Sequence, residues 1–417
     1  MEKDPQFTIP APNPENSEKP EKPKLPEIYG PVPQQPTQEA INGIRFDFCD
    51  GIRVLFPDNG KRYRCIFSDL DTGLILYSME MEPGAFVTSV KKYFIRFRLE
   101  IYDTAGGKPL FSHDYDAKDK EVLIQLPVGT IGDSIGWFSY VERFQQKHRC
   151  KVICVMTDWI AAIFKKQYPD ITFITKEETG KYQPYACYRL GLFFGGNTTH
   201  QPIDFRQAGL HRTAGNILGV DTEDIPPRVD LSAPRKIREK YAVIAVQASS
   251  QAKYWNNPFG WDEVVAYLKS CGYRILCIDK ERVHGDGIVW NHIPNGVEDF
   301  TGDRPLQERI DIIKDAEVFI GLSSGLSWLA WCCKVPVVMI SGFTSKDNEF
   351  FTPYRVINYH PCNSCWNDMR VEFDHFDPLW CPRHKGDKQQ FECTKHISGI
   401  QVINAIKKVQ TDRNRQA

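Results

Sequence analysis

The rhythm of apolar and polar positions changes several times along this 417-residue chain. Residues 1–40 show little apolar periodicity. They hold ten of the 28 prolines, with Glu and Lys between them. Such a segment cannot bury enough surface to offset its ordering entropy. A disordered or extended arm is expected there, with a docking peptide for a partner as the functional alternative. From 41 to 120, short runs alternate with a period of two. The cleanest is Ile95-Arg96-Phe97-Arg98-Leu99-Glu100-Ile101, apolar on one face and charged on the other. Turn signals such as Asp58-Asn59-Gly60, Asp71-Thr72-Gly73 and Glu82-Pro83-Gly84 separate the runs. The spacing predicts an antiparallel β domain, used to hold a protein substrate or neighbouring subunit, or for packing alone.

From Glu121 the pattern becomes strand–helix alternation. Val122-Leu123-Ile124 reads as a buried strand, and Ile135, Phe138, Val141 and Phe144 mark the inner face of a helix. Strands are expected at 152–156 and 171–174, with a helix at 159–168 and a further apolar segment at 188–194. This first unit, 121–235, ends in a stiff proline linker at 225–234. The second unit, 236–357, repeats the plan. It has strands at 241–246, 273–278, 317–321 and 336–340, and helices at 262–270 and around Leu306, Ile310 and Ile313. Such alternation builds parallel sheets. The fold class is therefore α/β, with two Rossmann-like domains and a cleft between them. Residues 358–396 lose periodicity. A helix at 397–417 closes the chain, with Ile400, Ile403 and Ile406 turned towards a domain.

Charge narrows the function. With 52 basic and 53 acidic residues the net charge is -1, which argues against an electrostatic grip on nucleic acid or anionic membrane. The start, MEKDPQF, has no apolar signal core, and the longest apolar candidate, 326–343, contains Lys334 and Pro336. No membrane span and a cytoplasmic location are expected. The 13 cysteines are odd in number, so a disulfide framework is not expected. Nine are scattered, including Cys65, Cys154, Cys271, Cys332 and Cys333, and read as small core residues.

Three loops follow strands and carry candidate chemistry. The first is Gly129-Thr130-Ile131-Gly132-Asp133. Its glycines permit a sharp turn and a close approach to a ligand. Asp133 then stands at the carboxyl end of a strand, where open parallel sheets bind ligands, or serves only as a helix cap. The second is Gln247-Ala248-Ser249-Ser250-Gln251-Ala252-Lys253. Small residues free backbone N–H groups for a phosphate, and Lys253 adds a point charge; a merely solvated lysine is the bland alternative. The third is Gly321-Leu322-Ser323-Ser324-Gly325-Leu326, which opens a helix. Exposed amides and the macrodipole make an anion site there, and plain capping by Ser323 or Ser324 is the alternative. There is no P-loop and no Gly-x-Gly-x-x-Gly, which weakens ATPase and NAD readings.

Four cysteines remain. Cys362, Cys365, Cys381 and Cys393 are separated by two, fifteen and eleven residues in a segment rich in Trp, His and Pro. The spacing predicts a metal clip, with four thiolates suiting zinc or iron. His360, His375 and His384 lie near but are not needed. No position is left open, so the site reads as structural.

Taken together, the Gly-x-x-Gly-Asp loop, the serine loop reaching Lys253 and Gly-Leu-Ser-Ser-Gly-Leu-Ser before a helix resemble the heptosyltransferases of lipopolysaccharide synthesis. The N-terminal β domain and the four cysteines bring the resemblance, over roughly 42–410, closer to the bacterial autotransporter heptosyltransferases. It implies a GT-B fold and cytosolic transfer of heptose from ADP-heptose to serines of autotransporter adhesin passenger domains. Asp133 matches the general base and Lys253 the donor-phosphate lysine. Ser324, Gly325 and Leu326 match the diphosphate loop, and the four cysteines match an iron site. Asp279 is placed near the ribose by its position after a second strand. Lipopolysaccharide enzymes usually carry Asp-Thr-Gly-Leu-Ser-His where this chain has Ser323 and Trp328. Without an evident acidic cluster in the cleft, fixed dipoles rather than Mg²⁺ would meet the leaving charge. The resemblance also implies a homo-oligomer, with a dodecameric ring among the options. The competing readings are transfer to lipopolysaccharide core, another nucleotide sugar as donor, and a non-enzymatic metal-containing binding protein.

Overall fold

The computed structural model describes residues 28–416, save 105 and 128. Glu121–Gln125 lies at the centre of the first sheet, with Lys151–Val155 and Ala186–Arg189 beside it in parallel. Thr172–Ile174 pairs in parallel with the outer side of Lys151–Val155. In the second sheet, Tyr241–Ile244 lies between Arg274–Cys277 and Val318–Leu322, again parallel. Val337–Ile340 and Arg355–Val356 continue it. These central strands are covered on both faces, which is why the sequence shows continuous apolar runs rather than alternation.

Each sheet feeds one helix towards the other lobe. Ile131–His148 follows the first central strand, and Gly325–Cys332 follows Val318–Leu322. Their N-terminal ends pack against each other. A Cβ on Gly132 would lie 2.9 Å from Trp328 Cδ1, and one on Gly325 would lie 2.8 Å from Ile131 Cβ and 3.1 Å from the Gly132 nitrogen. One turn on, a Cβ on Gly136 would meet His211 and Trp328 at 3.1 and 3.3 Å. Trp328 is buried in the gap these glycines leave. The missing side chains thus let two helix starts, one from each lobe, touch.

The structure departs from expectation in several places. Part of the β region merges with the first sheet: Arg45–Cys49 pairs in parallel with Ala186–Arg189, and Arg53–Leu55 and Phe86–Thr88 follow antiparallel. Only Ile75–Met81, Tyr63–Asp69, Phe97–Asp103 and Phe111–Asp114 form a separate antiparallel sheet. The merger hides a buried ion pair, Arg53 to Asp47 at 2.6 Å, inside what read as a polar face. The expected arm at 1–27 lies outside the described residues. Residues 28–40 pack on the first sheet, where the Tyr29 hydroxyl donates to the Leu190 carbonyl at 2.8 Å and the Gly30 N–H to Gln125 Oε1 at 2.8 Å.

The helix expected at 159–168 is only Asp158–Ala161 followed by turns. On the last helix, Gly399–Gln416, Ile406 is buried as expected and Ile403 packs against the core, but Ile400 is exposed, and Val402 and Val409 complete the buried side. An unforeseen hairpin pairs Val283–Asp286 with Val289–His292. Cys49 and Cys187 are not free thiols: they face each other in register on neighbouring strands and form a disulfide.

The glycine contact yields a prediction. Gly325→Val should force the helix starts apart at a cost of about 1–3 kcal/mol, typical of overpacking. It is read as a lower thermal midpoint together with lost activity, and an unchanged midpoint and full activity would contradict the contact.

Candidate active site

The Ile131–His148 helix is capped by Thr130, not by Asp133: Thr130 Oγ1 accepts from the Asp133 N–H. The same hydroxyl donates to Asp133 Oδ2 at 3.0 Å. This fixes the carboxylate in the first turn, directed at the cleft. Lys253 ends a short turn, Gln251–Lys253, after the first strand of the second lobe. Ser250 builds that turn by accepting from the Ala252 N–H, and its hydroxyl donates to the Pro378 carbonyl at 3.1 Å. The Lys253 ammonium lies 5.7 Å from the centre of the Phe343 ring.

Asp133 and Lys253 line one cavity of about 340 Å³ together with Thr130, Gly132, Ser250, Ser323, Ser324, Gly325 and Trp328. A second cavity of about 390 Å³ adjoins it, and Thr130, Ser249, Lys253, Ser324 and Gly325 line both. Asp279, Lys280, Glu281 and Leu326 line the second. Every catalytic and nucleotide-site residue singled out in the sequence therefore borders this paired cleft, and the four cysteines lie outside it.

Electrostatics couple the two central groups. Burial pushes the Asp133 carboxyl above the ordinary aspartate value, and the Lys253 charge and the Thr130 hydroxyl oppose that rise. Burial pushes Lys253 below the ordinary lysine value, against the pull of Asp133 and Glu349. The carboxylate and the ammonium each favour the charged form of the other.

The remaining residues differ in how free they are. Ser324 is the N-cap residue of the Gly325–Cys332 helix but makes no capping bond through its side chain, and its buried hydroxyl has no partner among the described residues. Ser323 instead donates to Glu349 Oε1. Glu349 also accepts from Arg355 at 2.8 Å, Asn348 at 2.8 Å and Thr344 at 3.2 Å. Burial would raise its carboxyl, but Arg355 and the hydrogen bonds outweigh this and hold it below the usual glutamate range. Asp279 is 1% exposed, and it accepts from the N–H groups of Val246 and Gln247 at 2.7 and 3.3 Å. Burial raises it to about 6. Its carboxylate ties two strand ends together, which leaves little of it for a ribose.

Sequence reasoning missed Glu349, Trp366, Phe373 and His375, all of which line the Asp133 cavity. Glu349 follows the strand Val337–Ile340 by several aperiodic residues. Its only signal was a position beyond a strand's carboxyl end.

The four cysteines lie in one neighbourhood. Burial raises the Cys393 thiol, and the neighbouring Cys362, Cys365 and Cys381 raise it further. Burial, a hydrogen bond to Glu392 and the nearness of Cys365 push Cys362 to about 12. Thiols in this neighbourhood suit a thiophilic metal, whose binding removes their protons. The group whose ligand atoms come together differs from the four cysteines singled out in the sequence and shares only Cys362 with them. Ligand atoms of Cys362, His384 and Glu392 lie within 4.8 Å of one another. The turn at 384–387 and the Glu392–Lys395 helix bring them in. Among the described residues no helix is long and apolar enough to cross a membrane.

Comparison with known proteins agrees with this geometry. Residues 41–105 match the model described as "Glycosyltransferase TibC, N-terminal domain", and 210–373 match "Glycosyltransferase family 9 (heptosyltransferase)". The chain is 52% identical over 384 residues to an autotransporter heptosyltransferase of Citrobacter rodentium, covering 92% of this chain and 93% of that one. It superposes with a TM-score of 0.89, at 50% identity over 92% of this chain and 100% of the other, on a dodecameric iron-containing heptosyltransferase, TibC, in complex with ADP-D-beta-D-heptose. A relative from Burkholderia thailandensis, 40% identical over 91% of this chain and 89% of its own length, is described as an inactive autotransporter heptosyltransferase. Two lobes that close a phosphate-ready cleft around Asp133 and Lys253, with family models and long, close relatives to match, place this chain among the autotransporter heptosyltransferases, enzymes of glycosyltransferase family 9 with a GT-B-like fold.

Proposed function

We propose that this enzyme transfers heptose from ADP-heptose to serine hydroxyls of autotransporter adhesin passenger domains, in a single inverting displacement. The observation that carries this reading is one shared cavity, lined by a carboxylate from the first lobe and a lysine and a helix start from the second. A serine hydroxyl is a poor nucleophile and needs a base in reach. Asp133 is that base, raised in pKa by burial yet held by Thr130. As the hydroxyl attacks the anomeric carbon, Asp133 accepts its proton and the bond to the diphosphate breaks. Lys253 and the backbone N–H groups at Gly325 and Leu326 meet the departing charge, with the macrodipole of that helix adding to them. The free hydroxyl of Ser324 gives that charge a further hydrogen-bond donor. Ser323 serves the site indirectly, through Glu349.

The cysteine-rich segment is assigned one iron per chain, held by Cys362, Cys365, Cys381 and Cys393, with His384 and Glu392 beside Cys362; zinc suits the same thiols. The group would add folding energy to a segment whose own core is one small cluster around Trp380, Cys381 and Phe391. The enzyme acts as a homo-oligomer, with the dodecamer of its relative as the expected form.

Three outcomes test this. Asp133→Asn should leave ADP-heptose binding nearly intact and cut transfer to a co-expressed adhesin, read by mass spectrometry, by about 10²–10⁴-fold or more, the contribution of a positioned base. Retained turnover would reject the role. The pH dependence of kcat/KM should be bell-shaped. Its acid limb marks Asp133 and lies above the ordinary aspartate range, and its alkaline limb marks Lys253 and lies below the ordinary lysine range. Lys253→Gln removes the cation that opposes the rise of Asp133, so the acid limb should move to higher pH; an unmoved limb would uncouple the pair. Cys365→Ala should lower iron content by elemental analysis and make 358–396 sensitive to protease, and unchanged metal content would contradict the site.

A further inference from the structure

The cysteine-rich segment has a second use beyond closing on a metal. We propose that Trp366, Phe373 and His375 form the acceptor subsite, a wall that receives the serine-bearing stretch of the protein substrate. This deepens the proposed function and rests on it.

Each cavity suits a different part of the reaction. The two cavities meet at Thr130, Lys253, Ser324 and Gly325. Those residues carry the cation and the helix start, so the diphosphate belongs at the junction. The cavity containing Lys280 and Glu281 lies on one side of it and takes the nucleoside. The sugar and the attacking hydroxyl are left with the Asp133 cavity. A single displacement requires the nucleophile to approach opposite the leaving group. The acceptor must therefore enter from the end of that cavity away from Lys253 and Ser324. The remaining lining residues, besides those bound to Glu349, are Leu192 and Leu210 from the first lobe, Phe343 from the second, and Trp366, Phe373, His375, Asp377 and Pro378 from the cysteine-rich segment.

That wall is built, not incidental. The Phe373 ring stands edge-on to Trp366 at 4.7 Å and to His375 at 4.8 Å. Phe194 of the first lobe meets His375 edge-on at 5.2 Å. The Asn367 amide donates to the Arg206 carbonyl of the first lobe and to Asn348 Oδ1 of the second, both at 3.0 Å. The wall is thus anchored to both lobes, while His375 itself is exposed. Rigid aromatic faces offer contact area to a polypeptide at low entropic cost. A cavity of about 340 Å³ that must also admit a heptose leaves room for serine and small neighbours. The fit is to an extended segment of small residues, not to a bulky side chain.

The test uses the full-length, metal-loaded enzyme with ADP-heptose and an unmodified adhesin passenger domain. His375→Ala and the milder Phe373→Leu should each raise the acceptor KM about tenfold, equal to about 1.4 kcal/mol, while the donor KM, iron content and thermal midpoint stay at wild-type values. The second variant guards against local collapse in the first. An unchanged acceptor KM in both variants, or a donor KM that rises in step, would overturn the subsite. Wild-type enzyme that attaches no heptose to the passenger domain would instead remove the acceptor class itself, a result visible before any variant is made.

Discussion

The site depends on two helices meeting at their N-terminal ends. Gly132 and Gly325 have no side chains, and a methyl group on either would collide with the opposite lobe. Trp328 fills the remaining space and packs on His211 at 5.1 Å and Phe350 at 5.0 Å. Around this contact the chain adds further ties between the lobes. The Leu210 N–H donates to the Asn348 carbonyl at 2.8 Å, and Arg212 donates to the Asp347 carbonyl at 2.9 Å. Asp224, held by His211 and Arg212, accepts from the Phe351 N–H at 2.8 Å. These ties set the approach of the lobes, and hence the gap in which a sugar must react.

The same contact sets the electrostatics. Helix starts present unsatisfied N–H groups, and here two of them face one cleft. Asp133 is the carboxylate at one start, and Lys253 stands beside the other. Low dielectric makes each costly alone and valuable together. Lys253 also has a second anion near it, because Glu349 is held charged by Arg355. Ser323 replaces the aspartate usual in lipopolysaccharide enzymes and bonds to this same glutamate. A carboxylate absent at one loop position is thus present in space, delivered from another loop.

Much of this was legible because it obeys local rules. Runs such as Val122-Leu123-Ile124 can only be buried strands, and the glycines of the Gly129–Asp133 loop announce a close approach. Cysteine spacing marked the segment that holds the candidate ligand group Cys362, His384 and Glu392. What stayed hidden depends on distant partners. Nothing local marks Arg45–Cys49 as joining the first sheet, since its pairing with Ala186–Arg189 spans more than a hundred residues. The Cys49–Cys187 disulfide follows from that same register. Glu349 sits in an aperiodic stretch and earns its place only through Ser323, Arg355 and Asn348. Asp279 shows the opposite error: its position after a strand pointed to a ligand, yet two backbone amides already occupy it.

In the proposed mechanism, the lobe contact sets Asp133 and the diphosphate on opposite faces of the sugar. The anomeric configuration of the product reads this directly. With a β-linked ADP-heptose as donor, the one-bond carbon–hydrogen coupling at the anomeric centre of the heptosyl-serine, measured by NMR on a glycopeptide from modified substrate, should report an α linkage. A β linkage would mean that the nucleophile arrived from the side of the leaving diphosphate, and the arrangement described for this cleft could not have produced it.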